Sequence, residues 1–128
     1  MGATPSPPGT RASERFQSRE RIRKRAEFER AYEHGVRVHG RYVTLFLLHT
    51  GLNVGRLGVS ATRKLGGAVL RNRAKRLIRD IFRRYKVDQG FDVVVVAKRD
   101  LIDAGTTAIE TEYRKNLHRG LRQARRTL

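Results

Sequence analysis

The densest chemistry in this chain lies between Arg63 and Lys86, where ten lysines or arginines accompany a single acid, Asp80. Cationic side chains bind phosphate, and arginine does so best because its planar fork donates two hydrogen bonds at once. Six of the eight cations from Arg71 onward are arginines. A solvated helix face usually mixes charge signs, whereas this segment does not. The segment therefore predicts a binding site for a polyanion, with nucleic acid as the expected partner.

The apolar residues of the same segment recur at helical spacing. At 100° per residue they fall within one stripe about 140° wide, which predicts a helix over about 67–86 packed on a core. The stripe consists of Leu70, Ala74, Leu77, Ile78, Ile81, Phe82 and Tyr85. The opposite side carries Asn72, Lys75, Arg76, Arg79, Arg83 and Lys86, with Arg71 and Arg73 on the two flanks. We therefore expect the helix to present a cationic surface to solvent.

The other patterns predict an α/β (α+β) domain with the element order α-β-β-β-α-β-α. A first helix is expected at about 24–34, ended by Gly35 in the left-handed conformation. Three strands are expected at 36–39, 42–49 and 56–62. A fourth, at 91–98, contains four consecutive valines and is predicted to be buried on both faces. The last helix is expected to begin at Thr107, with Glu110 completing a capping box. Its predicted inner face carries Ile109, Tyr113, Leu117, Leu121 and Ala124.

Length and composition limit the class of protein. A chain of 128 residues with a net charge of +17 is one basic domain in size. Residues 1–20 contain all three prolines and are predicted to be a disordered lead-in, which leaves 21–128 as a single RNA-binding domain. The sequence has neither a membrane-length apolar run nor an apolar signal segment, so a cytoplasmic protein with no membrane partner is expected. The absence of cysteine excludes disulfides and cysteine-ligated zinc.

Particular residues of the basic helix resemble a known family. Arg71-Asn72-Arg73, followed by the residues 74–79, resembles the signature motif of the protein subunit of bacterial ribonuclease P. Upstream, the residues 58–66 resemble the strand and turn that lead into that helix in the family. Glu27-Phe28, with Tyr32 and Gly35, resembles the family's first helix. The similarity in helix order and strand length extends from about Arg21 to the C-terminus.

The resemblance implies a ribonuclease P protein-like sandwich, with helices packed on a central mixed sheet, that assists a catalytic RNA. The family's enzyme removes the 5′ leader of precursor tRNA by metal-dependent phosphodiester hydrolysis, and its RNA subunit houses the reaction. The implied partners are the ribonuclease P RNA and the leader of precursor tRNA. The resemblance further implies that the protein itself is not catalytic and that the holoenzyme requires Mg²⁺. The sequence identifies no metal ligand or cofactor of the protein, and it leaves open whether the protein orders any magnesium.

Two sets of residues take expected roles from this resemblance. The face expected to meet the catalytic RNA consists of Arg71, Asn72, Arg73, Lys75, Arg76 and Arg79. The single-stranded leader is expected in a cleft between the first helix and the sheet, where bases stack on Phe28, Tyr32 and Phe46. The rim of that cleft is expected to hold phosphates through Ser60, Thr62, Arg63 and Lys64. Each set has a plainer alternative: core packing for the aromatic residues, local backbone bonding for Asn72, and solvated turn positions for the rim.

Two other classes of function are left open by the residues alone. A self-sufficient nuclease would need an acid–base pair or a metal site, yet His34, His39, His49 and His118 are dispersed and the acids form no recognisable triad. Two acids that are distant in sequence would still suffice if folding brought them together around magnesium. A ribosomal or nucleoid structural protein would explain the charge and the size equally well. It would not account for the run from Gly58 to Arg79.

Overall fold

The computed structural model describes residues 17–128, which form three α-helices and a four-stranded mixed sheet. The helices are α1 (Arg25–His34), α2 (Ala68–Arg84) and α3 (Thr106–Arg126), and the strands are β1 (Val36–His39), β2 (Val43–His49), β3 (Arg56–Ser60) and β4 (Phe91–Ala97). The predicted order α-β-β-β-α-β-α is confirmed. The predicted disordered lead-in lies outside the described residues over 1–16.

The other end of that lead-in falls within the described part of the chain. Ser18–Glu20 form a short 3₁₀ helix. The Glu20 carboxylate is nearly buried and accepts a hydrogen bond from the Lys86 ammonium group, with the two at 2.9 Å in their closest ion-pair contact. The contacts of the domain therefore begin before the predicted boundary at residue 20.

The sheet has the strand order β1-β2-β4-β3. Strands β1, β2 and β4 pair antiparallel, whereas β3 and β4 pair parallel and are connected through α2. Side chains alternate between the two faces of a strand. Val93 and Val95 of β4 accordingly enter one core and Val94 enters the other, all fully buried. The prediction that this strand is buried on both faces is confirmed.

The two cores are unequal in size. The larger core lies between one face of the sheet and the helices α2 and α3, and it includes the whole predicted inner face of α3. The smaller core lies on the other face, where α1 packs through Ala31 against Val94 and Ile22. Because a single ten-residue helix covers this second face, part of the sheet beside it stays accessible.

The apolar stripe of α2 packs on the larger core as predicted. Its buried members are Ala74, Ile78, Ile81 and Phe82. Leu70, Leu77 and Tyr85 are half-buried, and Leu77 and Tyr85 pack against the same core. Leu70 and Leu77 lie at one margin of the stripe, while Tyr85 lies where the helix ends.

Gly35 follows α1 immediately, but it is not left-handed. Its φ and ψ are −77° and 159°, which is extended backbone. A Cβ at this position would lie 2.5 Å from the carbonyl oxygen of Ala31 and 3.0 Å from that of Leu47. Close backbone packing, rather than a left-handed cap, therefore requires glycine here, and the predicted cap was wrong.

The start of α3 also differs from its prediction. The helix begins at Thr106 with Gly105 as its N-cap, and no side chain caps it. The Glu110 carboxylate instead accepts hydrogen bonds from the Arg84 guanidinium at 2.7 Å and from the Tyr85 hydroxyl at 3.0 Å. These donors, with Arg84 contributing most, lower the pKa of Glu110. Partners from α2 thus replace the local bond that a capping box would make.

Candidate nucleic-acid interface

Helix α2 turns a group of cations toward solvent along the side opposite its apolar stripe. Asn72, Lys75, Arg76, Arg79 and Arg83 line an open hollow of about 550 Å³ together with Arg21, which precedes α1; we call these six residues the α2 basic surface. The hollow also contains Asp80, whose carboxylate accepts a hydrogen bond from Arg83. Four of the predicted RNA-contacting residues, Asn72, Lys75, Arg76 and Arg79, are therefore brought together.

Arg21 was not predicted to belong to this surface. It reaches α2 because Arg21 forms an isolated parallel bridge with Leu57 of β3, and the backbone N–H of Ile22 donates to the Leu57 carbonyl at 2.9 Å. Ile22 then points into the smaller core. The only signal in the sequence is the alternation Arg21-Ile22-Arg23, which is too short to distinguish a strand from a loop.

Arg79 is half-buried, whereas the other arginines of the α2 basic surface are exposed. Burial, and secondarily the positive charge of Arg21, lower the pKa of its guanidinium. The group still remains protonated at neutral pH, because free arginine titrates far above it. A partly desolvated cation beside a second cation is stabilised by any anion that binds between them. The pair is therefore suited to a phosphate group.

The predicted RNA face is not one continuous surface. Arg73 lines a separate groove with Leu77, Leu101, Ile102 and other residues at the start of α3. Arg71, on the opposite flank, is half-buried and lies outside the α2 hollow. The flank positions predicted for both arginines are thus confirmed, and they divide the six predicted residues among three parts of the helix surface.

Three aromatic rings line the gap between α1 and the sheet, which we call the aromatic cleft. Tyr32 is 39% exposed, and its ring packs edge-on against Phe46 of β2 with 4.9 Å between the ring centroids. The Arg37 guanidinium carbon lies 6.0 Å from the centroid of the same Phe46 ring. Phe28 and Phe46 are half-buried against the smaller core. The fold thus brings the three predicted aromatic residues to one face of the sheet.

Phe28 is held more firmly than Tyr32, because it lies over a glycine in β3. A Cβ on Gly58 would lie 2.8 Å from Cε1 of the Phe28 ring and 3.2 Å from the Cβ of Ile22. Real side chains do not approach so closely, so the ring occupies the space that a side chain would fill. Phe28 therefore serves in part as core, whereas Tyr32 is the most exposed of the three rings.

The cleft and the α2 basic surface meet at two arginines. Arg21 and Arg79, which line the α2 hollow, also line a smaller hollow with Ile22, Phe28 and Val59. Phosphates bound along α2 and bases placed beside Phe28 would therefore share these guanidinium groups. This continuity between a cationic surface and aromatic rings is the arrangement that single-stranded nucleic acid requires.

The predicted rim residues follow one another at the end of β3. Ser60 lies on the same sheet face as Gly58 and pairs across the sheet with Val96. Thr62 precedes a 3₁₀ turn that contains the exposed Arg63 and Lys64. Within residues 17–128, no ring contact joins these four residues to the three aromatic side chains. The structure places Ser60 on the cleft face and the other three beyond the end of the strand.

One charged network fixes α1 on the sheet. The Arg56 guanidinium donates to both carboxylate oxygens of Asp92, at 2.9 and 2.8 Å, and to the Glu27 carboxylate at 3.0 Å. Asp92 is only 2% exposed. These hydrogen bonds, with Asp92 contributing most, raise the pKa of Arg56. Since Glu27 is adjacent to Phe28, the network sets the position of the helix that carries the cleft's aromatic rings.

Two histidines that are distant in sequence also come together near this network. His34 and His49 line a hollow of about 480 Å³ that includes Glu27, Arg56 and Asp92. Arg56 binds both oxygens of Asp92 and one oxygen of Glu27, and within residues 17–128 no hydrogen bond joins either carboxylate to His34 or His49 as a general base would require. No cluster of three or more histidines or acids that could hold a metal ion occurs within residues 17–128.

Comparison with known proteins separates the remaining classes of function. The family model described as Ribonuclease P matches residues 16–121. The chain belongs to the ribonuclease P protein family. The resemblance carried by the Arg71-Asn72-Arg73 motif and its surroundings is thereby confirmed.

Individual ribonuclease P proteins show the same similarity. The ribonuclease P protein component of Caldanaerobacter subterraneus is 35% identical over 99 residues, covering 76% of this chain and 85% of that protein. The solved ribonuclease P protein of Thermotoga maritima superposes with a TM-score of 0.71 at 31% identity, covering 78% of this chain and 96% of that one. A Staphylococcus aureus ribonuclease P protein structure gives a TM-score of 0.67 at 34% identity, with 82% and 94% coverage.

Membership in the ribonuclease P protein family defines the general role of the chain. The chain is a subunit of ribonuclease P, the tRNA-processing ribonucleoprotein endonuclease, and its partner is the ribonuclease P RNA. The predicted α/β sandwich is confirmed as well. Over residues 17–128, no helix has the length and apolar character needed to cross a membrane.

Proposed function

We propose that this ribonuclease P protein binds the ribonuclease P RNA along α2 and the single-stranded 5′ leader of precursor tRNA in the aromatic cleft. The observation that carries this proposal is the position of Arg21 and Arg79, which line both the α2 hollow and the hollow beside Phe28. Through them, an RNA bound on α2 and a leader bound in the cleft lie against one continuous surface.

The α2 basic surface is suited to the sugar–phosphate backbone of a folded RNA. Arg76 and Arg79 supply planar forks for bidentate bonds to phosphate, and Lys75 adds a point charge. Asn72 offers an amide that both donates and accepts, which suits a ribose hydroxyl or a base edge. Arg71 and Arg73 are proposed to contact the same RNA from the two flanks of the helix. Neutralising phosphates releases condensed counterions, so this binding is expected to weaken steeply with salt.

The aromatic cleft is suited to unpaired bases. Tyr32 presents an accessible ring, while Phe28 and Phe46 extend the apolar surface on either side of it. Stacking on these rings requires bases that are not already paired, so the cleft favours a leader over a duplex. Ser60, Thr62, Arg63 and Lys64 follow at the end of β3 and are proposed to hold the phosphates of the same strand.

Magnesium is proposed to be bound outside this chain. Residues 17–128 contain no cluster of three or more histidines or acids suitable for a metal ion, and the buried carboxylate Asp92 is already bonded to Arg56. The described residues therefore offer no metal site built from protein ligands alone, and we assign both the magnesium and catalysis to the RNA. The protein would position the leader and reduce repulsion between the two RNAs. It would act in the cytoplasm, where bacterial tRNA precursors are made.

A cleavage assay tests this assignment. Precursor tRNA is incubated at low magnesium concentration with the full-length protein, with the ribonuclease P RNA of the same genome, and with both. We expect rapid removal of the leader only when both are present. Cleavage by the protein alone would overturn the proposal, because the reaction would then belong to the protein.

Variants of α2 test which surface binds the RNA. The double substitution R76Q/R79Q should lower the slope of log affinity against log salt by about 1.4–1.8, since each lost phosphate contact removes about 0.7–0.9. The control R25Q/R41Q removes the same charge from side chains that are 92% and 72% exposed and lie elsewhere. Equal slopes for the two variants would exclude the α2 basic surface.

A further inference from the structure

Helix α3 carries a second cationic face that the proposed function does not use. From Tyr113 to Leu128 the sequence contains six arginines or lysines and no acid. The inner side of this helix is buried in the larger core through Tyr113, Leu117 and Leu121, among others. The cations therefore occupy the opposite, solvent-exposed side.

Four of these cations form one row. Lys115, Arg119, Arg122 and Arg126 follow at intervals of four, three and four residues, and all four are exposed. Residues at such intervals are neighbours on a helix surface. At 1.5 Å per residue the row extends about 16 Å along the helix axis. We call these four residues the α3 row.

The cations of α3 differ in whether another side chain of the protein contacts them. Arg114 lies 4.4 Å from the centroid of the Tyr85 ring, and Arg125 bonds Asp88 and lies over the ring of Phe91. By contrast, no acid of residues 17–128 comes within ion-pair distance of any member of the α3 row. The row is therefore open to an external anion.

Local helix stability does not explain the row. Cations in the last turn interact favourably with the helix dipole, which accounts for Arg126. Lys115 lies in the middle of the helix, and Arg119 and Arg122 precede the last turn. Neighbouring charges of the same sign at these spacings destabilise a helix. The α3 row thus lowers the stability of its own helix and has no ion-pair partner within the described part of the chain. This indicates that the row binds an anion outside the protein.

We propose that the α3 row is a second RNA-binding surface, which contacts the phosphate backbone of the ribonuclease P RNA. Three of its four members are arginines, whose forks suit phosphate. The apolar side of α3 is buried in the core, so this helix has no face to insert into a lipid surface. The chain's RNA partner is a polyanion long enough to reach more than one side of the protein.

This second surface rests on the proposed function, because it assumes that the same RNA occupies α2. The two surfaces are nevertheless distinct elements. Both helices pack on the same face of the sheet, but α2 packs beside β3 at one edge and α3 packs on β2 and β1 at the opposite edge. A backbone segment bound on the α3 row is therefore expected to differ from the segment bound on the α2 basic surface.

The test compares two charge-matched variants of the full-length protein. K115Q/R119Q/R122Q removes three members of the row, while R25Q/R41Q/R99Q removes three exposed arginines outside both surfaces. Affinity for the ribonuclease P RNA is measured from 50 to 400 mM salt, and backbone protection is mapped by hydroxyl-radical cleavage. We expect the first variant to lower the salt slope by about 2–3 and the control by less than 1. We also expect it to lose a set of protected nucleotides that R76Q/R79Q retains.

The outcomes separate the two proposals. Equal salt slopes for the two triple variants, with protection unchanged, would refute the α3 row as an RNA surface and leave it to an acidic protein. If R76Q/R79Q left the salt slope of RNA binding unchanged, this would instead count against the α2 basic surface as an RNA-binding site. The melting temperature of K115Q/R119Q/R122Q should equal or exceed that of the parent, because like charges are removed. If the melting temperature of the triple variant falls, the salt dependence is measured with the single variant Arg122→Gln instead. For that variant the expected change in salt slope is about 0.7–0.9.

Discussion

Tyr32→Ala should weaken leader binding while leaving the domain folded. Its ring is 39% exposed and its main contact is the edge-on packing against Phe46. Such a pair contributes about 0.5–1.5 kcal/mol, so the free energy of unfolding should fall by about 1 kcal/mol. Losing one base stack costs about 1–3 kcal/mol of binding. Precursor tRNA should therefore bind the holoenzyme about 5- to 150-fold more weakly.

Phe28→Ala should behave differently, because Phe28 fills the space above Gly58. Truncating a fully buried phenylalanine costs about 3–5 kcal/mol, and for this half-buried ring we expect about 2 kcal/mol. At about 4 °C per kcal/mol for a domain of this size, the melting temperature should fall by about 8 °C, against about 4 °C for Tyr32→Ala. Phe28 is thus expected to contribute more to stability, and Tyr32 more to leader binding.

The assay measures melting temperature together with the affinity of the holoenzyme for precursor and mature tRNA, using leaders of increasing length. Mature tRNA lacks a leader, so Tyr32→Ala should reduce the precursor-to-mature ratio. Tyr42→Ala is the matched control, since Tyr42 is a half-buried tyrosine that packs against the larger core instead. If Tyr32→Ala kept the ratio of the parent protein, the leader would not be read on this ring, and the aromatic cleft would be packing alone.

Three further predictions concern stability. Arg56→Met leaves the buried Asp92 unpaired and should cost about 3–5 kcal/mol in denaturant unfolding, while adding Asp92→Leu should restore part of the loss; no recovery in the double variant would contradict this. Burial raises the pKa of the Tyr113 hydroxyl in the folded protein. The stability that the neutral hydroxyl contributes is therefore complete below the pKa of about 10 that it has in the unfolded chain, and is lost as the pH rises above that value. Tyr113→Phe should flatten this decline in stability at alkaline pH. Leu77→Ala should cost about 1–2 kcal/mol, less than the 2–5 kcal/mol expected at the buried Ile78, and equal costs would place Leu77 in the core.

The larger features of the fold were predictable because they depend on periodicity. The stripe of α2, the inner face of α3 and the valines of β4 each repeat at the spacing of their element, and burial follows from that repeat. The failures concern single positions where a tertiary contact overrides a local pattern. Gly35 looks like a helix cap, yet a nearby carbonyl explains it, and Glu110 looks like part of a capping box, yet Arg84 and Tyr85 bind it.

The candidate site was predictable to a similar extent. The α2 cations and the aromatic residues were found from residue type, spacing and resemblance. Arg21 and the network of Arg56, Asp92 and Glu27 were not, since their members are joined only by folding and no local repeat marks them. Arg73 shows the opposite case: its neighbours in sequence suggested one RNA face, but helix geometry turns it toward another groove.

The bare backbone at Gly58 makes positions 28 and 58 interdependent in mutation. Any side chain at 58 would displace the Phe28 ring, so an alanine there is expected to be tolerated only when residue 28 becomes smaller. The double variant Gly58→Ala/Phe28→Leu should therefore lose less free energy of unfolding than the sum of the losses of the two single variants. Such non-additivity is common for residues in direct contact. A substitution in β3 would thus change the aromatic cleft through the Phe28 ring, so that the effects of substitutions in the strand and in the aromatic surface are expected to depend on each other.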